Sequence, residues 1–151
     1  MLTTLVAGTN VYVIEHAQHS SVGELRVSSA RSSWVLEVEG WGGLAFGSGS
    51  RGAYAWTARS LIGFSGNREE CTTIAKVDDD IKLAYARNSE FVLVCETSIR
   101  LSRDGQELSR LSLGDVVDEA HWDLDTLRVL DSTGRRYEIT VSADELRLSP
   151  T

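Results

Sequence analysis

Apolar residues alternate with small or polar ones in four short stretches of this chain, and the four read almost alike. They are Leu25-Arg26-Val27-Ser28, Ile62-Gly63-Phe64-Ser65, Ile99-Arg100-Leu101-Ser102 and Ile139-Thr140-Val141-Ser142, separated by steps of 37, 37 and 40 residues. A period of two puts the apolar residues on one side of an extended chain, the pattern of a half-buried β-strand. Each stretch runs into turn-forming residues: SSAR, SGNR, SRDG and SADE. The pairs Asp104-Gly105 and Gly66-Asn67 are hairpin signals, because these residue types accept positive φ at little cost. A further strand follows every turn: WVLEVE, CTTIAKV, ELSRLSL and ELRLS.

The other half of the unit repeats as well. Leu44-Ala45-Phe46 matches Leu83-Ala84-Tyr85, and Glu119-Ala120-His121 holds the equivalent place. The strands GAYAWT, EFVLVCE and TLRVLD follow, with TTLVAG and VYVIEH as the first unit's counterparts. Helical patterning is nearly absent. The best candidate, DEAHWDLDTLRVL, alternates on either side of Asp125-Thr126, which predicts two strands rather than one helix. The sole proline, Pro150, interrupts no predicted strand.

Four-stranded units recurring about every 40 residues resemble the blades of a β-propeller. The resemblance covers the chain as one all-β domain, 1–151, with blades near 1–40, 41–78, 79–114 and 115–151. It implies small residues near a hub, where Ala45, Gly47, Ala84 and Ala86 would allow close approach. Phe46, Trp56, Tyr85 and Phe91 would fill wider gaps between blades. Neither a Trp-Asp closing each unit nor a repeated paired glycine occurs, so the WD40 and kelch patterns are missing. A trefoil would need three units of about fifty residues, against the four found here. Two assemblies stay open: a closed four-bladed ring, or a half-ring whose end blades meet a second copy in an eight-bladed homodimer.

Composition narrows the partners. The 151 residues are 42% hydrophobic and 25% charged, in the range of a globular chain with a core. No stretch has the roughly 20 apolar residues of a membrane helix, and the start MLTTLVAGTN lacks the pattern of a secretory signal. A net charge of −7, with only Lys76 and Lys82 as lysines, speaks against nucleic acid and for a basic protein partner. Cys71 and Cys95 fit no metal spacing; as buried free thiols they point to the cytoplasm, and no cofactor is expected.

Candidate chemistry is thin. On a strand, Glu119, His121, Asp123 and Asp125 share one side, where a histidine between carboxylates could bind a metal or act as a base. The plainer reading is a solvated blade face. His16 and His19 fall in a predicted loop, EHAQHSSVGE, without a third ligand. VDDDIK lacks the spacing of a calcium loop and reads as a polar turn. Trp41, in the glycine-rich run EGWGGLAFGSGSRGAY, could contact a ligand or partner, or pack between blades. That run lacks the Gly-Lys-Ser/Thr ending of a phosphate loop. The four repeated serines recur by architecture and read as turn formers, not nucleophiles. The expected function is a non-enzymatic protein-interaction module using Trp41, Glu119, His121 and Asp123. The rivals are a lectin, which would need an aromatic and polar pair in every unit, and a metal-assisted hydrolase centred on His121.

Overall fold

A computed structural model describes residues 2–19, 22–40 and 43–149, and arranges them in sixteen strands. Blade 1 holds β1 (Leu2–Ala7), β2 (Asn10–His19), β3 (Val22–Ser28) and β4 (Ser33–Glu39). Blade 2 holds β5 (Ala45–Gly49), β6 (Gly52–Trp56), β7 (Ser60–Ser65) and β8 (Cys71–Lys76). Blade 3 holds β9 (Ile81–Arg87), β10 (Glu90–Cys95), β11 (Ser98–Arg103) and β12 (Gln106–Ser112). Blade 4 holds β13 (Val117–Asp123), β14 (Thr126–Asp131), β15 (Arg136–Val141) and β16 (Leu146–Leu148). Each blade is an antiparallel meander with strands in chain order, as the alternation predicted. There is no helix among the described residues, and none long and apolar enough to cross a membrane. At the β11–β12 turn, Asp104 and Gly105 adopt φ of 52° and 79° between the paired Arg103 and Gln106. The predicted hairpin forms there for the predicted reason.

Three apolar cores lie in the three seams. Tyr12, Ile14, Leu25 and Val27 of blade 1 meet Ala53, Ala55, Ile62 and Phe64 of blade 2. Tyr54 and Leu61 meet Ala84, Leu93 and Cys95 between blades 2 and 3. Val92, Val94, Ile99 and Leu101 meet Leu127, Val129, Ile139 and Val141 between blades 3 and 4. Among the described residues, none of these cores draws on both blade 4 and blade 1.

Orientation follows one rule through all four blades. The residue two places into the second strand points to the following blade in Tyr12, Tyr54 and Val92, and its neighbour in Ala53, Phe91 and Leu127 points to the preceding one. The repeated phrase does not obey that rule. Leu25/Val27 and Ile99/Leu101 face forward, whereas Ile62/Phe64 and Ile139/Val141 face backward. A one-residue slip in register reverses every side chain of a strand. Blades 2 and 3 are covered on both faces, so SLIGF and FVLVC are near-continuous apolar runs in which the slip leaves no trace.

Close packing relies on small residues, as expected. A Cβ on Gly49 would stand 2.9 Å from that of Ala86, where inner strands β5 and β9 meet. Gly47 has a different role: its missing side chain is replaced by the Tyr54 ring, 2.4 Å from where a Cβ would be. Tyr54 donates from its hydroxyl to the Ala84 carbonyl at 3.0 Å and accepts from the Ala86 N–H at 3.3 Å.

Candidate functional site

The two end blades each keep one face clear of the three cores. On blade 4, β13 sends Ala120 and Trp122 inward, where Trp122 stacks on Tyr85 with ring centres 5.6 Å apart. Glu119, His121 and Asp123 therefore face outward, all exposed, together with Arg128 of β14 and Arg136, Glu138 and Thr140 of β15. One rung runs His121–Arg128–Glu138, with an ion pair of 3.6 Å between the last two. A second runs Glu119–Leu130–Arg136. An open hollow of about 840 Å³ takes in Lys82, Leu83, Glu119, His121, Arg128 and Arg136.

This geometry brings Glu119, His121 and Asp123 to one face and seats a guanidinium opposite the imidazole. Among the described residues, no cluster of three or more His, Cys, Asp or Glu side chains could hold a metal. Asp125 leaves the group, because its carboxylate accepts from Arg87 at 3.0 Å across the seam to blade 3. Trp41 lies outside the described residues. His16 and His19 do not lie in the loop their polar surroundings predict: both belong to β2, which continues to His19. Their spacing of three sends them to opposite faces of that strand.

The three aspartates of VDDDIK are each engaged by the protein. Asp78 pairs with Arg100 at 2.6 Å and Asp80 with Arg59 at 2.7 Å. Asp79 accepts from the Ser98 hydroxyl at 2.8 Å and from the Thr97 N–H and hydroxyl at 3.0 and 3.1 Å. Burial, the largest single influence on Asp79, favours its neutral form, but the hydrogen bonds from Ser98 and Thr97 together hold it below the ordinary carboxylate range. Burial pushes the Cys71 and Cys95 thiols up to about 12, so neither is a ready nucleophile.

Two features escaped sequence reasoning. At the seam of blades 3 and 4, buried Glu90 sits between Arg87 and Arg103, and these reach Asp125 and Asp144 of blade 4 at 3.0 Å each. The charges are scattered from residue 87 to residue 144, so only folding gathers them. A cleft of about 490 Å³ also opens between blades 2 and 3, with Tyr54, Phe91 and Ile74 inside and Arg51, Glu70 and Asn88 at its rim. Gly49, Gly52, Gly63 and Gly105 line it too, and glycines gathered from four separate turns and strands were the available signal.

Blade 1 presents the contrasting end. Tyr12, Ile14, Leu25 and Val27 are buried against blade 2, while the opposite face exposes Leu2 (70%), Val6 (64%), Val11 (49%) and Val35 (68%). The positions equivalent to Val11 in the later blades, Ala53, Phe91 and Leu127, all pack against a preceding blade.

No family model and no curated protein matches the sequence. Among solved structures, the crystal structure of BBS1N in complex with ARL6DN, soaked with mercury, is similar, with a TM-score of 0.50 at 11% identity. The match covers 99% of this chain and 64% of that one, so the chain spans about two thirds of its length or slightly less. At that identity the likeness speaks to fold alone, and the fold is that of propeller blades: four four-stranded antiparallel sheets set side by side.

Proposed function

We propose that this chain is a protein-interaction module, a row of propeller blades whose blade 4 end receives a basic protein partner. One observation carries the reading. Residues 104–151 contain eleven acidic and five basic side chains, so six of the seven excess negative charges belong to blade 4 and the last strand of blade 3. Glu119 and Asp123 stand exposed there, alongside Asp118, Asp125 and Glu145. A predominantly negative field at one end steers an oppositely charged protein and weakens with salt. The similar solved structure is itself a complex of BBS1N with ARL6DN, which is in keeping with blades serving as a binding platform. That none of the three apolar cores draws on both blade 4 and blade 1 among the described residues favours an open row over a closed ring. The buried unpaired thiols Cys71 and Cys95 suit a reducing compartment, and we place the protein in the cytoplasm on that ground.

The test is quantitative capture from a native extract, at low salt and again at about 0.5 M, where the screening length falls to roughly 4 Å. The expected result is a basic protein retained at low salt, released at high salt, and lost when Glu119→Arg and Asp123→Arg are combined. A partner indifferent to both salt and the double substitution would defeat the reading.

A further inference from the structure

Blade 1's free face has an order that its exposure alone does not explain. The register across its four strands is Leu2–Glu15–Arg26–Val35, one rung from β1 to β4 with all four side chains exposed. The rung reads apolar, acid, base, apolar. The next reads Thr4–Val13–Ser28–Ser33, small and uncharged throughout. Such a rung becomes its own complement when reversed.

From this we propose that the free face of blade 1 binds the same face of a second copy, about a two-fold axis parallel to the strands and midway between β2 and β3. That operation lays β1 over β4 of the second copy and β2 over its β3. Leu2 then covers Val35 of the second copy and Glu15 meets its Arg26, each contact made twice, as an isologous interface requires. The small rung beside it lets the sheets approach to the ordinary face-to-face spacing of about 10 Å. Arg26 already pairs with Glu24 at 2.8 Å on its own strand, which holds the guanidinium over this face.

The other available surface suits the face badly. Docking onto blade 4 of a second copy, the contact that would build an eight-bladed ring, sets Val11 and Val13 against a face bearing His121, Arg128 and Glu138. Those charges would lose water against the valines, with only Glu15 and Arg26 on that face to pair with them. Blade 1 is also separate from the acidic end, so the pairing does not depend on the identity of any basic partner.

Sedimentation equilibrium of the full chain, from micromolar to near-millimolar, tests the proposal. The wild type should show a monomer–dimer equilibrium. Glu15→Arg and Arg26→Glu should each weaken it on the order of tenfold to a hundredfold, because each sets like charges face to face twice. Mixing these two variants should restore the dimer as a heterodimer, since a doubly basic face then meets a doubly acidic one. Arg128→Glu on blade 4 should leave association within about threefold of wild type. Circular dichroism melting of each variant separates lost association from lost folding: like charges on the paired β2 and β3 positions should lower the melt by only a few degrees. A wild type that stays monomeric throughout overturns the proposal. So does a dimer indifferent to Glu15 and Arg26, one not restored by mixing, or one abolished by Arg128→Glu.

Discussion

The two ends of this row of blades expose equivalent faces of opposite character. Blade 4 ends in Arg128, Arg136, Glu138, His121 and Glu119, while blade 1 ends in Leu2, Val6, Val11 and Val35. In stacked repeats each unit buries its faces only against neighbours, and a terminal unit keeps its solubility by making the outer face polar. Blade 4 satisfies that rule. Blade 1 does not: its free face keeps apolar residues where blades 2, 3 and 4 each accept a predecessor. One outer face is polar, and the other has the chemistry of an interface.

The two faces of blade 1 differ most in what a substitution costs. Leu25→Ala, on the covered face, should cost about 2–5 kcal/mol in urea denaturation. Val35→Thr, one strand away on the free face of the monomer, should stay within about 0.5 kcal/mol. Equal costs would mean that both faces are buried and the asymmetry is false. At blade 4's inner seam, Glu90→Gln removes a buried carboxylate from Arg87 and Arg103 and should cost about 2 kcal/mol. The partial exposure of both arginines tempers that figure. In that variant hydrogen exchange should show blade 4 loosening before blade 1, because the charge cluster around Glu90 joins only blades 3 and 4.

Smaller effects sharpen the contrast. At the β13–β14 turn Leu124 holds φ of 55° and is 87% exposed, where Gly8 (φ 59°) and Asn88 (φ 56°) occupy the corresponding turns. A leucine gains nothing from that conformation, so Leu124→Gly should stabilise by about 0.5–1 kcal/mol, read as a raised melting temperature. If instead the melt is unchanged while partner capture falls, Leu124 belongs to the binding end.

Acid should test the middle of the row. The folded-state carboxyl of Asp79 titrates below the unfolded value of about 3.9, so the unfolded chain binds its proton first as pH falls. Its contribution is complete above that pH and disappears as pH drops through the lower, folded value. The decline of stability between pH 5 and 2 should be shallower in Asp79→Asn than in wild type. Parallel curves would show that Asp79 has no part in it.

Much of the fold was legible beforehand because it is local. Strand alternation, the Asp104-Gly105 turn and the spacing of the units are properties of neighbouring residues, and the meanders follow from them. Two features of the strands lie beyond local pattern. His16 and His19 look like loop because polar residues interrupt the apolar pattern, yet β2 continues, paired with Gly23 and Val22 beyond the edge of that pattern. The repeated phrase keeps its alternation in all four blades, yet in blades 2 and 4 its side chains face the other way. The candidate site was legible only in part: period-two alternation put Glu119, His121 and Asp123 on one face, but the opposing Arg128 comes from the next strand.

By itself, the chain determined that it would form sixteen short strands in four hairpin-rich units, since period and turn chemistry act over a few residues. Which face of each strand is covered, whether Asp125 and Asp144 reach the arginines beside Glu90, and which end is left apolar were decided only by stacking. Those outcomes depend on contacts between residues 30 to 60 positions apart, and on register, where a shift of one residue exchanges inside for outside.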